Sequence, residues 1–316
     1  MSVGYRIVAV LAIMGATVGR ASAADKSRVL RYDAPAKQWV EAVPIGNGRL
    51  GGMVFGGADV ARIQVNEDSL WTGQPMDYQH KGASEHLPAI RKLLLDGKQK
   101  EAEKLAGRHF MSDPLRQEDY QPLCDLVLTF AGHDKYKDYR RQLDISQAVA
   151  SVSYRVGDAT FTRQVIASCP DQIIAVRITC DKPGRITFGA KLTTPHTESK
   201  TVRVDGASLT LRGRVTQRSR MKVPSVMKFE ARLRASAVGG KLTVTGDGVS
   251  ITAADSAVLI LAGATSYKNY KDVSADPAAR TKACLAAVGD KSYEAIRKAH
   301  IADYRKLFDR VTIDLG

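Results

Sequence analysis

Short β-like runs recur about every ten residues through most of the chain, and this spacing limits the folds that the chain can adopt. Runs such as "AVASVSYRVG", "ATFTRQVIAS" and "DQIIAVRIT" follow one another between residues 148 and 179. Many alternate apolar and polar residues, as in "SVSYRV", where Val152, Tyr154 and Val156 share one strand face. Gly/Asp turns such as "VGDA" and "TGDG" separate the runs. A dozen or more such strands predict a mainly β fold, a large antiparallel two-sheet β-sandwich.

One helical insertion interrupts the strands, at residues 84–111. Its apolar residues recur at helical spacing, and Gly97 divides it into two helices. We expect a helical hairpin that packs on the sheet edge.

The pattern changes again near residue 276, where two amphipathic helices are predicted. Asp276 before Pro277 is a favourable helix start, and Ser292 is another. His300 lies on the apolar stripe of the second helix, which favours a hydrogen-bonded interfacial histidine. The predicted organisation is therefore a β-sandwich domain at 24–275, then a helical linker plus a final strand at 276–316.

The N-terminus predicts a signal peptide at residues 1–23. Arg6 gives a positive start, an apolar stretch follows, and the small residues Ala21, Ser22 and Ala23 fit a cleavage site after Ala23. We expect an exported protein, periplasmic or secreted. The apolar stretch is shorter than the ~20 residues of a membrane span, and no other stretch resembles one, so no membrane partner is predicted.

The chain is strongly basic, with a formal net charge of +14. The leader holds two of the basic residues and no acid, so the mature chain would carry +12. Most basic residues are scattered, and only Arg212 to Lys222 form a dense cluster, which is typical of a solvated loop or edge strand. Because no recognition helix or aromatic stacking motif accompanies the charge, we expect no nucleic-acid partner.

The cysteines and histidines predict no metal site and no cofactor. The four cysteines show no metal-binding spacing, and we expect them to be mostly free, buried thiols. His80, His86, His109, His133 and His196 show no ligand spacing either, so surface or capping roles are the default.

The run "PIGNGRLGGMVFGG", residues 44–57, contains six glycines. A phosphate-binding loop is one interpretation, but the run lacks Gly-Lys-Ser/Thr and does not open a helix. The other interpretation is a tight turn at 46–48, followed by a strand whose small residues let another layer approach closely.

The stretch "NEDSLW" contains the candidate site residues Asn66, Glu67, Asp68 and Trp71. Adjacent acids beside a tryptophan suggest a sugar-cleaving site, but glycosidases hold two carboxyl groups at least ~5 Å apart around one bond. In a strand, Glu67 and Asp68 would point to opposite faces. We therefore favour a strand-ending turn, in which Asn66 and Asp68 accept hydrogen bonds from nearby backbone N–H groups. A role at an interdomain contact or a pocket rim stays open, with Trp71 as the contact.

Several blocks together resemble the N-terminal part of the glycoside hydrolase family 95 enzymes, which are exported α-L-fucosidases. The blocks include "WVEAVPIGNGRLGGMVFGG", "RIQVNEDSLWTGQP", "YRRQLDISQAVASVSY" and "HIADYRKLFDRVTIDLG". The resemblance extends from about Tyr32 to Gly316. One departure is Cys124, which stands where the family usually has glycine.

The resemblance implies a super-sandwich, a helical linker and a catalytic (α/α)6 barrel that performs inverting hydrolysis of terminal α-1,2-linked L-fucose. Only 41 residues follow residue 275, whereas twelve helices of about 11–12 residues need well over ~130. We therefore expect a truncated chain, inactive alone, that holds none of the catalytic residues. The alternatives are a stand-alone carbohydrate-binding module and a half-enzyme that pairs with a separately encoded barrel. A fucosylated glycan is the expected ligand of the parent enzyme.

Overall fold

The computed structural model of the chain describes residues 28–204 and 208–313. It confirms the mainly β fold, because the described strands form two antiparallel sheets that pack face to face. The predicted signal peptide lies outside the described residues. Strands are numbered here along the chain.

The larger sheet has nine strands. Their spatial order is β1 (Val29–Tyr32), β6 (Lys137–Asp144), β7 (Val149–Val156), β8 (Ala159–Ser168), β9 (Ile173–Cys180), β16 (Ser256–Thr265), β13 (Lys228–Val238), β12 (Ser208–Arg214) and β11 (Ser199–Val204).

The smaller sheet has seven strands. Their spatial order is β14 (Lys241–Val244), β15 (Val249–Ala254), β10 (Ile186–Thr193), β5 (Cys124–Thr129), β4 (Val60–Glu67), β3 (Leu50–Val54) and β2 (Val43–Gly46).

The main hydrophobic core lies between the two sheets and follows the predicted alternation. In β7, Val152 and Tyr154 are buried, whereas Ser151 and Ser153 are half-buried. Alternate residues of β5, Leu126 among them, fill the core from the other sheet. Because successive side chains of a strand point to opposite faces, one register buries all of these residues together.

Two helices, α3 (Pro277–Val288) and α4 (Tyr293–Phe308), follow the last strand. Both predicted starts are confirmed: the Asp276 carboxylate accepts a hydrogen bond from Ala278 N at 2.8 Å, and the Ser292 hydroxyl accepts one from Ala295 N at 3.2 Å. The helices cover the outer face of the nine-stranded sheet, where Leu285 and Ile296 join a second hydrophobic cluster. The described residues therefore form three layers.

His300 is buried between α4 and the sheet, as predicted for an interfacial histidine. Its Nε2 lies 3.0 and 3.1 Å from the carbonyl oxygens of Gln147 and Ala148. After α4, residues 311–313 form no strand, and residues 314–316 lie outside the described residues. The part of the predicted final strand that the structure describes is therefore not a strand.

The predicted hairpin is present as α1 (Ala83–Leu95) and α2 (Gln99–His109). The prediction that it packs on the sheet edge is wrong, because the two helices contact each other and make at most marginal contact with any strand. Only Ile90 and Ala102 of the two helices are buried. No helix among the described residues has the length and apolar character needed to cross a membrane.

The glycine run 44–57 forms a turn and a strand, as the second interpretation predicts. Two of its glycines stand where a side chain would not fit. A Cβ on Gly56 would lie 2.6 Å from the Arg141 side chain, and one on Gly57 would lie 1.9 Å from the Val60 carbonyl oxygen. The Gly57 carbonyl also accepts a hydrogen bond from the buried Arg163 guanidinium at 2.5 Å. Gly56 therefore permits a close approach of the nine-stranded sheet, and Gly57 permits the tight turn between β3 and β4.

The cysteines and two of the histidines differ in part from the predictions. All four thiols are free, but the expectation that most of them are buried is wrong, because Cys169 is exposed and Cys180 and Cys284 are half-buried. Cys124 is completely buried in the main core. His133 and His196 are buried as well, so a surface role is wrong for both. Burial lowers the pKa of His133, and the Arg163 charge lowers it further.

Candidate functional site

The stretch from Asn66 to Trp71 lies where β4 ends. Glu67 is the last residue of the strand, and Asp68 begins the turn. The Asp68 N–H donates to the Arg49 carbonyl at 3.0 Å, and the Leu70 N–H donates to the Glu67 carbonyl at 3.2 Å. The strand-ending turn is therefore confirmed.

Glu67, rather than Asn66 or Asp68, is the side-chain acceptor in this turn. Its buried carboxylate accepts hydrogen bonds from the Ser69 N–H at 2.8 Å and the Ser69 hydroxyl at 2.7 Å. Asn66 instead donates from Nδ2 to the Gln121 carbonyl at 3.4 Å. The predicted acceptors are thus wrong, because Glu67 points inward and can reach two residues ahead.

The pKa of Glu67 is raised. Burial is the main cause, and the hydrogen bonds from Ser69 oppose it. The neighbouring Asp68 charge raises the pKa further, whereas Arg49, whose Nη1 lies 3.7 Å from the carboxylate, lowers it. Burial therefore outweighs the favourable contacts.

Glu67 and Asp68 face two different cavities. Glu67 lines a cavity of about 560 Å³ between the sheet ends and α3. Asp68 lines another of about 460 Å³, whose wall is mainly apolar. The backbone between Glu67 and Asp68 therefore separates the two cavities. The expectation that the two carboxylates cannot face one sugar together agrees with this geometry.

The charged groups around α3 are used within the protein. Lys291 Nζ lies 2.7 Å from the Asp171 carboxylate, and Arg280 Nη1 donates to the Thr265 carbonyl at 3.1 Å. The buried Glu230 contacts Arg212, Arg232 and the Thr281 hydroxyl of α3. We name this group the charged seam: Arg49, Glu67, Asp171, Glu230, Arg280 and Lys291.

The second cavity has a different lining. We name it the aromatic cavity, after the residues that give it its character: Asp68, Trp71, Tyr78, Glu118, Tyr267 and Tyr270.

The Trp71 ring is fixed on two sides. Its Nε1 donates to the Asp68 carbonyl at 3.1 Å, and its ring centroid lies 5.2 Å from that of Tyr120. The next residue, Thr72, donates its N–H to the Asp119 carbonyl at 2.9 Å. The ring is 37% exposed, so it is held in place without being covered.

Glu118 ties three distant segments together beneath the aromatic cavity. Its buried carboxylate accepts hydrogen bonds from Thr72 Oγ1 at 2.7 Å, Ser219 Oγ at 2.6 Å, Arg220 N at 3.0 Å and Met221 N at 3.2 Å. Burial raises the pKa of Glu118, but these four hydrogen bonds together outweigh it, so the pKa is lowered. The carboxylate is therefore a structural anchor for the walls of the cavity.

Tyr267 and Tyr270 come from the turn between β16 and α3. The Asn269 side-chain oxygen accepts from Lys271 N at 2.9 Å and Asp272 N at 3.1 Å, and Arg280 donates to the Tyr267 carbonyl. Hydrogen bonds from Ser274, aided by Lys268, lower the pKa of Asp272 to about 2. This closed turn presents the Tyr270 ring, which is 72% exposed.

The structure brings three of the four predicted site residues to one side. Asn66, Asp68 and Trp71 lie around Tyr120, whereas Glu67 belongs to the charged seam. Within residues 28–204 and 208–313, no group of three His, Cys, Asp or Glu side chains could hold a metal ion.

The sequence reasoning missed Tyr78, Glu118, Tyr267 and Tyr270. The run "SYKNYK", 266–271, offered a signal, because two tyrosines stand there between a strand and a helix start.

The chain is similar in sequence to a family of glycosyl hydrolase domains and to curated enzymes. The model of the glycosyl hydrolase family 65 N-terminal domain matches residues 30–270. "Alpha-L-fucosidase 2" of Arabidopsis thaliana is 33% identical over 92% of this chain and 37% of its own length. "Probable alpha-fucosidase A" of Aspergillus niger is 26% identical over 87% of this chain and 36% of its own length. The chain thus spans little more than a third of these curated relatives.

Among solved structures, a human-microbiome protein provisionally named a kojibiose phosphorylase matches with a TM-score of 0.52 and 11% identity. It covers 89% of this chain and 37% of its own. At this identity the likeness supports the fold alone. The relatives confirm the resemblance to a fucosidase family, at the level of an N-terminal domain.

Proposed function

Because this chain belongs to the family of glycosyl hydrolase family 65 N-terminal domains, we propose that it supplies the N-terminal β-sandwich of an α-L-fucosidase-type glycoside hydrolase. The observation that carries the proposal is the match of the α-fucosidases from Arabidopsis and Aspergillus niger along 92% and 87% of this chain. The reaction proposed for the whole enzyme is inverting hydrolysis of terminal α-1,2-linked L-fucose.

The sandwich itself does not perform this reaction in our proposal. Its conspicuous acids do not form a catalytic pair, since Glu67 accepts hydrogen bonds from Ser69 and faces one cavity, whereas Asp68 faces the other. The described residues contain four helices, far short of an (α/α)6 barrel. A barrel, on a longer chain or a separate one, then provides the general acid and the activated water.

The surface around Trp71 suits a contact with such a barrel or the rim of its sugar pocket. Trp71, Tyr120, Tyr267 and Tyr270 are all exposed there. Large exposed apolar groups that lie together mark interaction sites on protein surfaces. In this proposal Asn66, Asp68 and Trp71 take part in that contact, and Glu67 supports it from behind.

Incubation with an α-1,2-fucosylated oligosaccharide tests the division of labour. We expect the purified chain to release no fucose. Clear turnover that disappears in Glu67→Gln or Asp68→Asn would overturn the proposal. The adjoining coding sequence gives a second test, because it should encode a helical barrel. An adjoining coding sequence without a helical barrel would rule out the half-enzyme that pairs with a separately encoded barrel.

Export is also part of the proposal, and the leader-like residues 1–23 support it. Expression of the full chain in a bacterium with a secretion pathway should yield a mature form that begins at Ala24. Edman sequencing of the exported protein measures this. A chain that keeps Met1 and stays in the cytoplasm would contradict export.

A further inference from the structure

The aromatic cavity combines exposed ring faces with polar groups that the described protein does not use. Trp71, Tyr267 and Tyr270 each expose more than a third of their surface. No described residue donates a hydrogen bond to the Asp68 carboxylate, and the Gln74 amide makes no hydrogen bond with the described residues. Apolar walls with a few available polar groups are typical of small-molecule sites.

The size and the chemistry of the cavity suit a sugar ring. Its volume of about 460 Å³ lies within the ~300–1,000 Å³ of ordinary ligand pockets. A pyranose has a flat C–H face and a rim of hydroxyl groups. Trp71 and Tyr270 provide rings on which such a face can lie, and Asp68 and Gln74 provide an acceptor and a donor for hydroxyl groups.

The cavity is also organised before any ligand arrives. The Trp71 ring is held by the Asp68 carbonyl and by Tyr120. The four hydrogen bonds to Glu118 hold the walls, and the Gly73 N–H adds a fifth, to Ser225 Oγ at 3.0 Å. Because little has to be ordered on binding, a shallow site can still hold a small ligand.

We propose that the aromatic cavity binds the terminal 6-deoxyhexose unit of a glycan, with L-fucose as its simplest ligand, and does so without the barrel. A 6-deoxyhexose carries a methyl group where other hexoses carry a hydroxymethyl group. This difference suits a wall that is more apolar than polar. The choice of sugar rests on the proposed function, whereas the site itself rests on the geometry.

The chain has two tryptophans, which allows a direct measurement. Trp39 lies in the turn Trp39–Glu41, is exposed and does not line the cavity. In a Trp39→Phe variant, Trp71 becomes the single fluorescent reporter. Titration with L-fucose should change its emission in a saturable way. L-Galactose, which differs only by a hydroxyl on C6, should bind about fourfold more weakly, since that added hydroxyl would lie against the apolar wall.

Two further substitutions in this background locate the site. Tyr270→Ala should weaken L-fucose binding about tenfold, because one ring face is removed. Tyr270 is so exposed that the variant should fold normally. Asp68→Ala should weaken binding by a similar factor. Leu95→Ala is the matched control, because Leu95 is exposed on α1 and does not line the cavity, and it should leave binding unchanged.

Four results would overturn the inference: no saturable response to L-fucose, equal affinity for L-galactose, unchanged binding in Tyr270→Ala and Asp68→Ala, or saturation by choline in place of the sugar. Choline tests whether the rings and Asp68 form a cation site instead. Failure here is distinct from failure of the proposed function. If the chain is inactive and binds no fucose, only the inference of a fucose site is wrong. If the chain releases fucose by itself, the proposed function is wrong.

Discussion

The charged seam and the aromatic cavity meet at the adjacent residues Glu67 and Asp68, and the two regions have different roles. In the charged seam, the charged groups contact one another, nearby hydroxyl groups or backbone atoms, and several of them fasten α3 to the sheets. In the aromatic cavity, only Glu118 is committed in this way, and the rings and Asp68 remain available. Dense charge here marks a structural joint, whereas exposed aromatic rings mark the surface suited to recognition.

Glu230→Ala should give the largest loss of stability. The variant removes a buried carboxylate that contacts Arg232 at 3.0 Å and the Thr281 hydroxyl of α3. Truncating one partner of a buried ion pair costs about 3–5 kcal/mol, and we expect the free energy of unfolding in urea to fall by that amount. Glu294→Ala is the control, since Glu294 is 60% exposed in its pair with Arg177, and it should cost less than about 1 kcal/mol. Equal losses would contradict a structural role for the charged seam.

Substitution of the two neighbouring acids should separate the two regions directly. Glu67→Ala leaves the Ser69 N–H and hydroxyl without their acceptor, and should lower the free energy of unfolding by about 3 kcal/mol. Asp68→Ala should change it by less than about 0.5 kcal/mol, because the side chain is exposed. Chemical denaturation of both variants measures this. The distinction fails if Asp68→Ala proves the more damaging.

Gly73→Ala tests how tightly the walls of the aromatic cavity are held. Gly73 has φ +75°, and a Cβ there would lie 2.7 Å from the Glu118 carboxyl carbon. We expect a loss of about 2 kcal/mol, from the backbone conformation and the clash together. Gly132→Ala is the control, because Gly132 has φ +80° and open space around it. Its loss should be about 1 kcal/mol, from the backbone conformation alone. Equal losses of stability in the two variants would mean that the Glu118 side chain moves aside at little cost in free energy.

The pH dependence of stability should have opposite signs in the two regions. Burial raises the pKa of Glu67, so its titration favours the folded state below the unfolded pKa, and this contribution is lost as pH rises through the folded pKa. Burial is outweighed by hydrogen bonds at Glu118, where the pKa is lowered. That contribution is present above the unfolded pKa and is lost as pH falls through the folded pKa.

Urea unfolding at pH 4 and pH 7 should show the two signs. The stability difference between the native chain and Glu67→Gln should shrink as pH rises. The difference between the native chain and Glu118→Gln should grow. If the two stability differences changed in the same direction with pH, the pKa values of Glu67 and Glu118 would not be shifted in opposite directions.

Much of the fold could be predicted from the sequence, because it depends on local patterns. Alternation in runs such as 151–156 identifies strands, and caps such as Asp276 and Ser292 identify helix starts. The packing of the α1–α2 hairpin could not be predicted, since helical periodicity shows an apolar face but not its neighbour. His133 and His196 were missed for a similar reason: their burial depends on partners such as Tyr154 that spacing does not reveal.

Only the part of the candidate site that is contiguous in sequence could be predicted. The turn at 66–71 could be inferred from "NEDSLW", together with the conclusion that its two acids diverge. Tyr267 and Tyr270 meet Trp71 from almost 200 residues away, and no single-sequence pattern gives that contact. Glu118 resembles any other loop acid in the sequence, and only the long-range hydrogen bonds show its structural role.

The contacts of Glu118 also set an order of assembly. Its partners lie 46 residues before it and 101 residues after it, at Thr72 and Ser219. A chain leaving the ribosome therefore cannot close the walls of the cavity until Ser219 has emerged, and Tyr270 follows later still. Hairpins such as β7–β8 can pair long before that point. The ring-lined surface thus forms only after Tyr270 has left the ribosome, and a shorter nascent chain does not display it.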